Sequence, residues 1–147
     1  MESQFNFRLQ KLLDIRIEQE ENSMVSFQNA KMDSFHAEEK LYGLQENYNK
    51  YNNEDYEETV VHKKIKRNYL SALTKYIEEA EIEAEEKEKN LEKCREDLKD
   101  RQIERKTIEI LKEKKHEEFI FEENQREQKT NDEFALYGYI KRTAERR

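Results

Sequence analysis

Very few residues in this 147-residue sequence combine a type and a spacing that could do chemistry. Glu113 and His116 form one Glu-x-x-His pair, the spacing with which some helical bundles hold two metal ions. Such a site needs a second pair and further inward-facing glutamates, whereas this sequence supplies one pair among many charged residues. The pattern therefore predicts two polar side chains on a helix surface and no metal site.

The single cysteine, Cys94, lies between Leu91 and Leu98 at a spacing typical of a helical seam. A reactive thiol needs an electropositive, partly exposed pocket, and the sequence around Cys94 is rich in glutamate. The sequence also lacks a Gly-rich phosphate-binding loop and a Gly-x-Ser-x-Gly motif. We therefore expect a seam cysteine, no catalytic residue, no cofactor and a non-enzymatic function.

The composition indicates long helices rather than a globular domain. Charged residues make up 43% of the chain and hydrophobic residues 34%, whereas a compact domain needs about 45–50% apolar residues. Proline is absent and only two glycines are present, while residues that favour helices are abundant. We expect an all-α fold with a narrow apolar seam, in a single elongated coiled-coil domain over residues 1–147.

Two periodic stretches predict the helices of an antiparallel coiled-coil hairpin. The first runs from about residue 5 to 51 in steps of three and four, with a slip of register expected near Ala30. The second runs from about residue 57 to 143. The predicted seam comprises Leu13, Ile17, Met24, Phe27, Ala30, Ser34, Ala37, Leu41, Leu44, Tyr48 and Tyr51 on helix one, and Ile65, Tyr69, Leu73, Tyr76, Ala80, Ala84, Lys87, Leu91, Cys94 and Leu98 on helix two.

The segment Asn52-Asn53-Glu54-Asp55-Tyr56 predicts the bend, because Asn and Asp favour turns and helix caps. Pairing the helices about residue 54 brings Tyr69 near Lys40. At about 1.5 Å per residue, helix one spans roughly 70 Å and helix two roughly 130 Å. The second helix is therefore expected to be the longer one, with residues 104–147 overhanging.

The predicted overhang is rich in apolar residues. They are Ile108, Ile110, Leu111, Phe119, Ile120, Phe121, Phe134, Leu136, Tyr137, Tyr139 and Ile140. Exposed apolar residues at this density mark an interaction surface, and an isolated helix needs packing to be stable. We expect the overhang to dock onto another protein or to pair with a second copy of the chain.

The charge, the hydropathy and the number of cysteines indicate which partners and which cellular compartment to expect. A net charge of -7 with both signs interleaved gives no support for nucleic-acid binding. No segment approaches the roughly 20 apolar residues of a membrane span, and the first residues lack the pattern of a signal peptide. One cysteine cannot form an internal disulfide. We expect a cytoplasmic protein that binds other proteins.

Tyrosines cluster near the predicted bend, and two interpretations of them stay open. The cluster comprises Tyr42, Tyr48, Tyr51 and Tyr56, with Tyr69 and Tyr76 on the facing side of helix two. These side chains could fill the seam between the helices. They could instead form a docking patch, because tyrosine is enriched at binding hot spots.

Three segments, in order and at matching spacing, resemble one known family. They are Phe5-Asn6-Phe7-Arg8-Leu9-Gln10-Lys11-Leu12-Leu13 with Arg16, Arg105-Lys106-x-x-Glu109-x-Leu111-Lys112, and Glu127-Gln128-Lys129-x-x-Asp132-Glu133-Phe134-Ala135. The family is that of the flagellar FliJ proteins, a stalk component of the bacterial flagellar type III export apparatus. The resemblance covers nearly the whole chain.

The resemblance implies a protein similar to the central stalk, or gamma subunit, of rotary ATPases. Such a protein regulates the hexameric export ATPase FliI from within its pore. It also binds the export gate protein FlhA and export chaperones, and so takes part in flagellum biogenesis and protein transport. The resemblance places it at the inner face of the cytoplasmic membrane at the flagellar base, in contact with the membrane only through the gate.

The resemblance also assigns two sets of partner-binding residues. The gate patch would comprise Leu44, Tyr51, Tyr69, Leu73 and Tyr76, whereas Lys40, Asn47 and Ala80 depart from the family pattern. The ATPase-facing end would be formed by the two termini, with Phe5, Phe7, Leu9, Ile108, Leu111, Phe119, Phe121 and Phe134. The alternative function is a generic coiled-coil scaffold or tether that binds no ring ATPase. An enzyme or metal bundle would need a second ligand cluster.

Overall fold

The structure, a computed structural model, describes residues 4–53 and 57–146, which contain two α-helices and no β-strand. Helix α1 spans Gln10–Tyr51 and helix α2 spans Val60–Glu145. The predicted fold class is confirmed: the chain is all-α, and two long helices form an antiparallel hairpin whose second helix is the longer.

The chain divides into two compact units. The hairpin unit comprises Glu18–Gln102, and the terminal unit combines Met1–Ile17 with Ile103–Arg147. Each unit pairs a stretch from the first half of the chain with a stretch of α2.

Helix α2 begins at Val60 because Thr59 caps it. The Thr59 hydroxyl oxygen accepts a hydrogen bond from the His62 backbone N–H at 3.4 Å, as expected of an N-cap threonine. The sequence places this start near Glu57, one turn earlier. The predicted bend includes residues 54–56, which lie outside the described part of the chain.

In the hairpin unit the two helices bury a narrow seam. Its α2 side alternates strictly in steps of four and three along Lys66, Leu70, Leu73, Ile77, Ala80, Ala84, Lys87, Leu91, Cys94 and Leu98. The sequence places Ile65, Tyr69 and Tyr76 in this seam, and that assignment is wrong, because these side chains are 62%, 43% and 58% exposed. Two successive steps of four, from residue 65 to 73, rotate away from a heptad seam.

The register slip expected near Ala30 is absent. Glu20, Ser23, Phe27 and Ala30 continue the steps of three and four, and each is buried or half-buried. The prediction is wrong because the apolar pattern skips Ser23, a polar residue that occupies one seam position. The Ser23 hydroxyl is satisfied there by donating to Asp97 Oδ2 at 2.8 Å.

The pairing of the helices differs from the one expected. The Tyr69 ring contacts Tyr51, with centroids 5.4 Å apart, and Lys40 Nζ lies 2.6 Å from Glu83 Oε2. The prediction that Tyr69 lies near Lys40 is therefore wrong. Because α2 starts only at Val60, the paired residues are centred near residue 60 and not near 54.

In the terminal unit a non-helical segment lies beside α2. Residues 4–9 precede α1, which the sequence predicts to begin near residue 5, and the Phe5 ring reaches Phe119 with centroids 5.6 Å apart. This segment covers α2 as far as Phe119, well beyond residue 104, where the overhang is expected to start. A pairing centred near residue 60 places residue 5 opposite about residue 115, so the shifted pairing accounts for most of this reach. In the part of the chain described here, no helix is long and apolar enough to cross a membrane.

Candidate functional site

A line of exposed apolar side chains runs along the first four turns of α2. We call it the α2 face, and it comprises Val61, Ile65, Tyr69, Ala72 and Tyr76. Steps of three and four residues keep these side chains on one side of the helix, over about 22 Å at about 1.5 Å per residue. The face lies beside the seam, and its side chains stay exposed although the Tyr69 ring contacts Tyr51 of α1.

The end of α1 adds a second aromatic side chain to this surface. The Tyr51 and Tyr69 rings meet edge to face, with an angle of 83° between their planes. A pocket of about 650 Å³ opens beside this pair and is lined by Lys50, Tyr51, Asn53, Glu58, His62, Ile65, Lys66 and Tyr69. The Tyr51 and Tyr69 rings with Ile65 form its apolar wall, and the other five lining residues are polar or charged.

The five residues of the predicted gate patch fall into two groups. Tyr51, Tyr69 and Tyr76 are exposed, and the first two are in contact. Leu73 is only 4% exposed inside the seam, and Leu44 is half-buried there. Leu73 cannot offer its side chain to a partner while the hairpin is folded.

Sequence reasoning did not assign Val61 or Ile65 to a binding site. Val61 was left unassigned, and Ile65 was placed in the seam. The signal that finds them is a second line of apolar residues, which runs parallel to the strict four-three line of the seam.

In the terminal unit, five of the predicted ATPase-facing residues come together. They form what we call the clasp: Phe5, Phe7 and Leu9 from the amino-terminal segment, with Leu111 and Phe119 of α2, around a pocket of about 650 Å³. Phe7 is buried, and the Phe5 ring also meets the His116 ring at 5.0 Å between centroids. The clasp holds the non-helical start of the chain against α2.

Beyond the clasp, α2 continues with its apolar side chains exposed. Among the predicted ATPase-facing residues, Phe121 is 63% and Phe134 70% exposed, while Ile108 is half-buried near the clasp. We call the exposed set the carboxy-terminal segment, which comprises Ile120, Phe121, Phe134, Leu136, Tyr137, Tyr139 and Ile140. A surface helix of this kind is stabilised by packing against a partner.

Polar groups in the terminal unit are largely engaged with each other. Arg16 Nη1 lies 2.7 Å from Glu104 Oε2, and Arg105 Nη1 lies 2.7 Å from Glu109 Oε1. The hydrogen bond from Arg105 lowers the pKa of Glu109 below its ordinary value. These pairs place opposite charges beside each other along the α2 surface.

Two residues that the sequence singles out for possible chemistry, His116 and Cys94, lie among other side chains of the fold. His116 packs against the Phe5 ring, and Cys94 is half-buried in the seam. Across the described ranges 4–53 and 57–146, no three His, Cys, Asp or Glu side chains converge as metal ligands would.

The comparison with known families decides which family this chain represents. A family model described as "Flagellar FliJ protein" matches residues 5–144. The chain belongs to the flagellar FliJ family. The resemblance indicated by the sequence motifs is thus confirmed, and membership implies a component of the flagellar export apparatus. No curated protein and no solved structure matches the chain.

The motifs that this FliJ-family chain shares with its family have distinct surroundings in the terminal unit. The first motif, which begins at Phe5, supplies the amino-terminal side of the clasp. The last motif, residues 127–135, lies in exposed helix and contains Phe134. The shared sequence therefore includes both a packed contact and an unpacked apolar surface.

Proposed function

We propose that this FliJ-family protein is a non-enzymatic stalk of the export apparatus, which couples the hexameric export ATPase FliI to the export gate FlhA. The observation that carries the proposal is the presence of two separate apolar surfaces left exposed by the fold. One is the α2 face of the hairpin unit, and the other is the carboxy-terminal segment of the terminal unit. A protein that connects two partners needs two such surfaces.

The carboxy-terminal segment is suited to the ATPase. It is helical from the clasp to Glu145, and its apolar side chains lie on a single helix. A single helix inside a ring of six subunits cannot contact them all alike. Contacts that differ between nucleotide states shift the equilibrium among those states, which is how a protein without a catalytic group changes a rate elsewhere.

The α2 face is suited to the gate. Tyrosines at binding hot spots are large and rigid, and they are most effective where a partner excludes water from them. The exposed Tyr69 and Tyr76, with the Tyr51 ring beside them, supply three such side chains. Through the gate the protein would lie at the inner face of the cytoplasmic membrane at the flagellar base, with export chaperones as further partners.

The test is ATP hydrolysis by the FliI hexamer with and without the full chain. We expect the unaltered chain to raise the hydrolysis rate and the Phe121→Ser, Phe134→Ser double variant to lose most of that effect. A double variant at equally exposed residues of the hairpin unit, Phe35→Ser with Tyr42→Ser, serves as the matched control. A hydrolysis rate unaffected by the unaltered chain would favour a scaffold without ATPase coupling.

A further inference from the structure

The beginning of α2 lacks acidic residues. From Thr59 to Ile77 the sequence contains no Asp or Glu, although 35 of the 147 residues of the chain are acidic. The same 19 residues contain Lys63, Lys64, Lys66, Arg67 and Lys75. A chain with a net charge of -7 thus carries a locally basic stretch, on the same turns of helix as the α2 face.

Four of these five bases form no ion pair with any described residue. Lys66 is the exception: it donates to the Asn53 carbonyl oxygen and lies 3.4 Å from Glu58 Oε1. Between residues 78 and 102 of α2, four of the six bases are paired: Lys87 with Asp33, Lys89 with Glu85, Arg95 with Glu92 and Arg101 with Asp97. The other two, Lys93 and Lys99, form no ion pair with a described residue.

Two of the four bases without an ion pair border the α2 face. Lys64 follows Val61 by three residues and Lys75 follows Ala72 by three, and residues three apart are neighbours on a helix surface. Lys63 and Arg67 lie on the opposite side of the helix, because successive residues are about 100° apart. Lys64 and Lys75 therefore form a basic margin along one long edge of the apolar line.

We infer that the α2 face docks into an apolar groove of a partner protein whose rim carries carboxylates opposite this basic margin. The inference rests on the proposed binding of the gate by the same face and specifies the chemistry of the gate surface. Tyr69 and Tyr76 would enter the groove, while Lys64 and Lys75 meet the acidic rim. Complementary charges of this kind speed association and select the partner, and salt screens them.

A protein groove fits the charge pattern better than a bilayer does. Glu54, Asp55, Glu57 and Glu58 directly precede the acid-free stretch in sequence. A broad anionic bilayer would meet these acids together with the bases, and about 1 kcal/mol gained per lysine would be offset by their repulsion. A groove as wide as one helix face meets only the apolar line and the two bases at its edge, Lys64 and Lys75.

The experiment measures the affinity of the full chain for the cytoplasmic domain of FlhA at about 0.05 M and about 0.3 M salt. The test variant combines Lys64→Glu and Lys75→Glu. The matched control combines Lys93→Glu and Lys99→Glu, two bases that also form no ion pair with a described residue, which gives the same net charge on the same helix. Helicity of both variants is measured by circular dichroism.

We expect the test variant to bind about a hundredfold more weakly at low salt and the control to stay within about threefold of the unaltered chain. The affinity of the unaltered chain should fall with salt, and that of the test variant should hardly change. Equal losses in the two variants, or no loss in either, would overturn the acidic rim and leave gate binding intact. Absence of binding by the unaltered chain would overturn the proposed function and this inference with it.

A second arm tests the membrane. Vesicles of phosphatidylcholine with about one third phosphatidylglycerol replace the protein partner in a flotation assay. We expect the chain to stay unbound at about 0.15 M salt. Flotation that the two charge reversals abolish would assign the basic margin to anionic lipid and overturn the inference.

Discussion

Two stretches of α2 in the hairpin unit, residues 60–77 and residues 78–102, form the same seam and present different outer surfaces. In the later stretch four of six bases have acidic partners, such as Arg95 with Glu92 at 2.6 Å, and Glu83 accepts a bond from Lys40. Among its described residues only one large apolar side chain, Ile82, is exposed. In the earlier stretch the five side chains of the α2 face are exposed, and four of five bases form no ion pair with a described residue.

The difference distinguishes the residues that pair the two helices from the residues that the hairpin exposes to a partner. A seam in steps of four and three is enough to pair the helices, and both stretches have one. In the apolar line beside the seam in residues 61–76, Tyr69 contacts α1 through the Tyr51 ring, and every side chain of the line stays exposed. Exposed apolar side chains in one stretch, on a helix whose next stretch exposes only Ile82 among its large apolar residues, indicate a surface completed by another protein.

The largest expected effect distinguishes the seam from the α2 face. Leu73→Ala should lower the free energy of unfolding by about 3 kcal/mol, because it leaves a cavity at a buried position. Tyr76→Ala, three residues away and exposed, should change it by less than about 0.5 kcal/mol. Urea unfolding followed by circular dichroism measures both. Similar losses in the two variants would place Tyr76 in the seam.

A smaller effect compares paired and unpaired bases. Arg95→Gln removes the bond to Glu92 and a cation placed 6.0 Å from the Phe27 ring centroid, so it should cost about 0.5 kcal/mol. Arg67→Gln removes repulsion from the nearby lysines and should raise stability by about 0.3 kcal/mol. A loss of stability in Arg67→Gln would show that this base has a partner within the folded chain.

The smallest effect concerns pH. The hydrogen bond and charge of Lys40 lower the pKa of Glu83 below its ordinary value of 4.5. The folded state therefore binds this proton less readily than the unfolded state, and the pair stabilises the fold above about pH 4.5 and loses that contribution as the pH falls. Titration of Glu83 by NMR should show the lowered pKa, and Lys40→Gln should return it towards 4.5. An unchanged pKa in that variant would assign the shift to another group.

The fold was predictable from the sequence because its signals are local. Missing proline, few glycines and the alternation of three and four residues specify two helices and much of their seam. The prediction of the seam was wrong where polar residues occupy it. Ser23 and Lys66 hold seam positions because the Ser23 hydroxyl bonds Asp97 and the Lys66 amine reaches the Asn53 carbonyl oxygen. Hydropathy alone cannot identify such positions.

The candidate sites were predictable only in part. The apolar residues of both ends could be listed, but burial depends on register, and the register depends on where α2 begins. Thr59 as the cap moves the pairing, which buries Leu73 and exposes Tyr69 and Tyr76. The reach of residues 4–9 along α2 follows from the same shift of the pairing, and these residues are non-helical where the periodic pattern predicts a helix.

The central claim is that the α2 face is a docking surface and not part of the seam. Its most direct test replaces Tyr69 and Tyr76 together by alanine and measures both helicity and affinity for the cytoplasmic domain of FlhA. The control replaces Phe35 and Tyr42, two exposed aromatic residues of α1 that are also seven apart. We expect unchanged helicity in both variants and a loss of affinity of about a hundredfold only in the first. Retained affinity in the first variant, or helicity that falls together with binding, would contradict the claim.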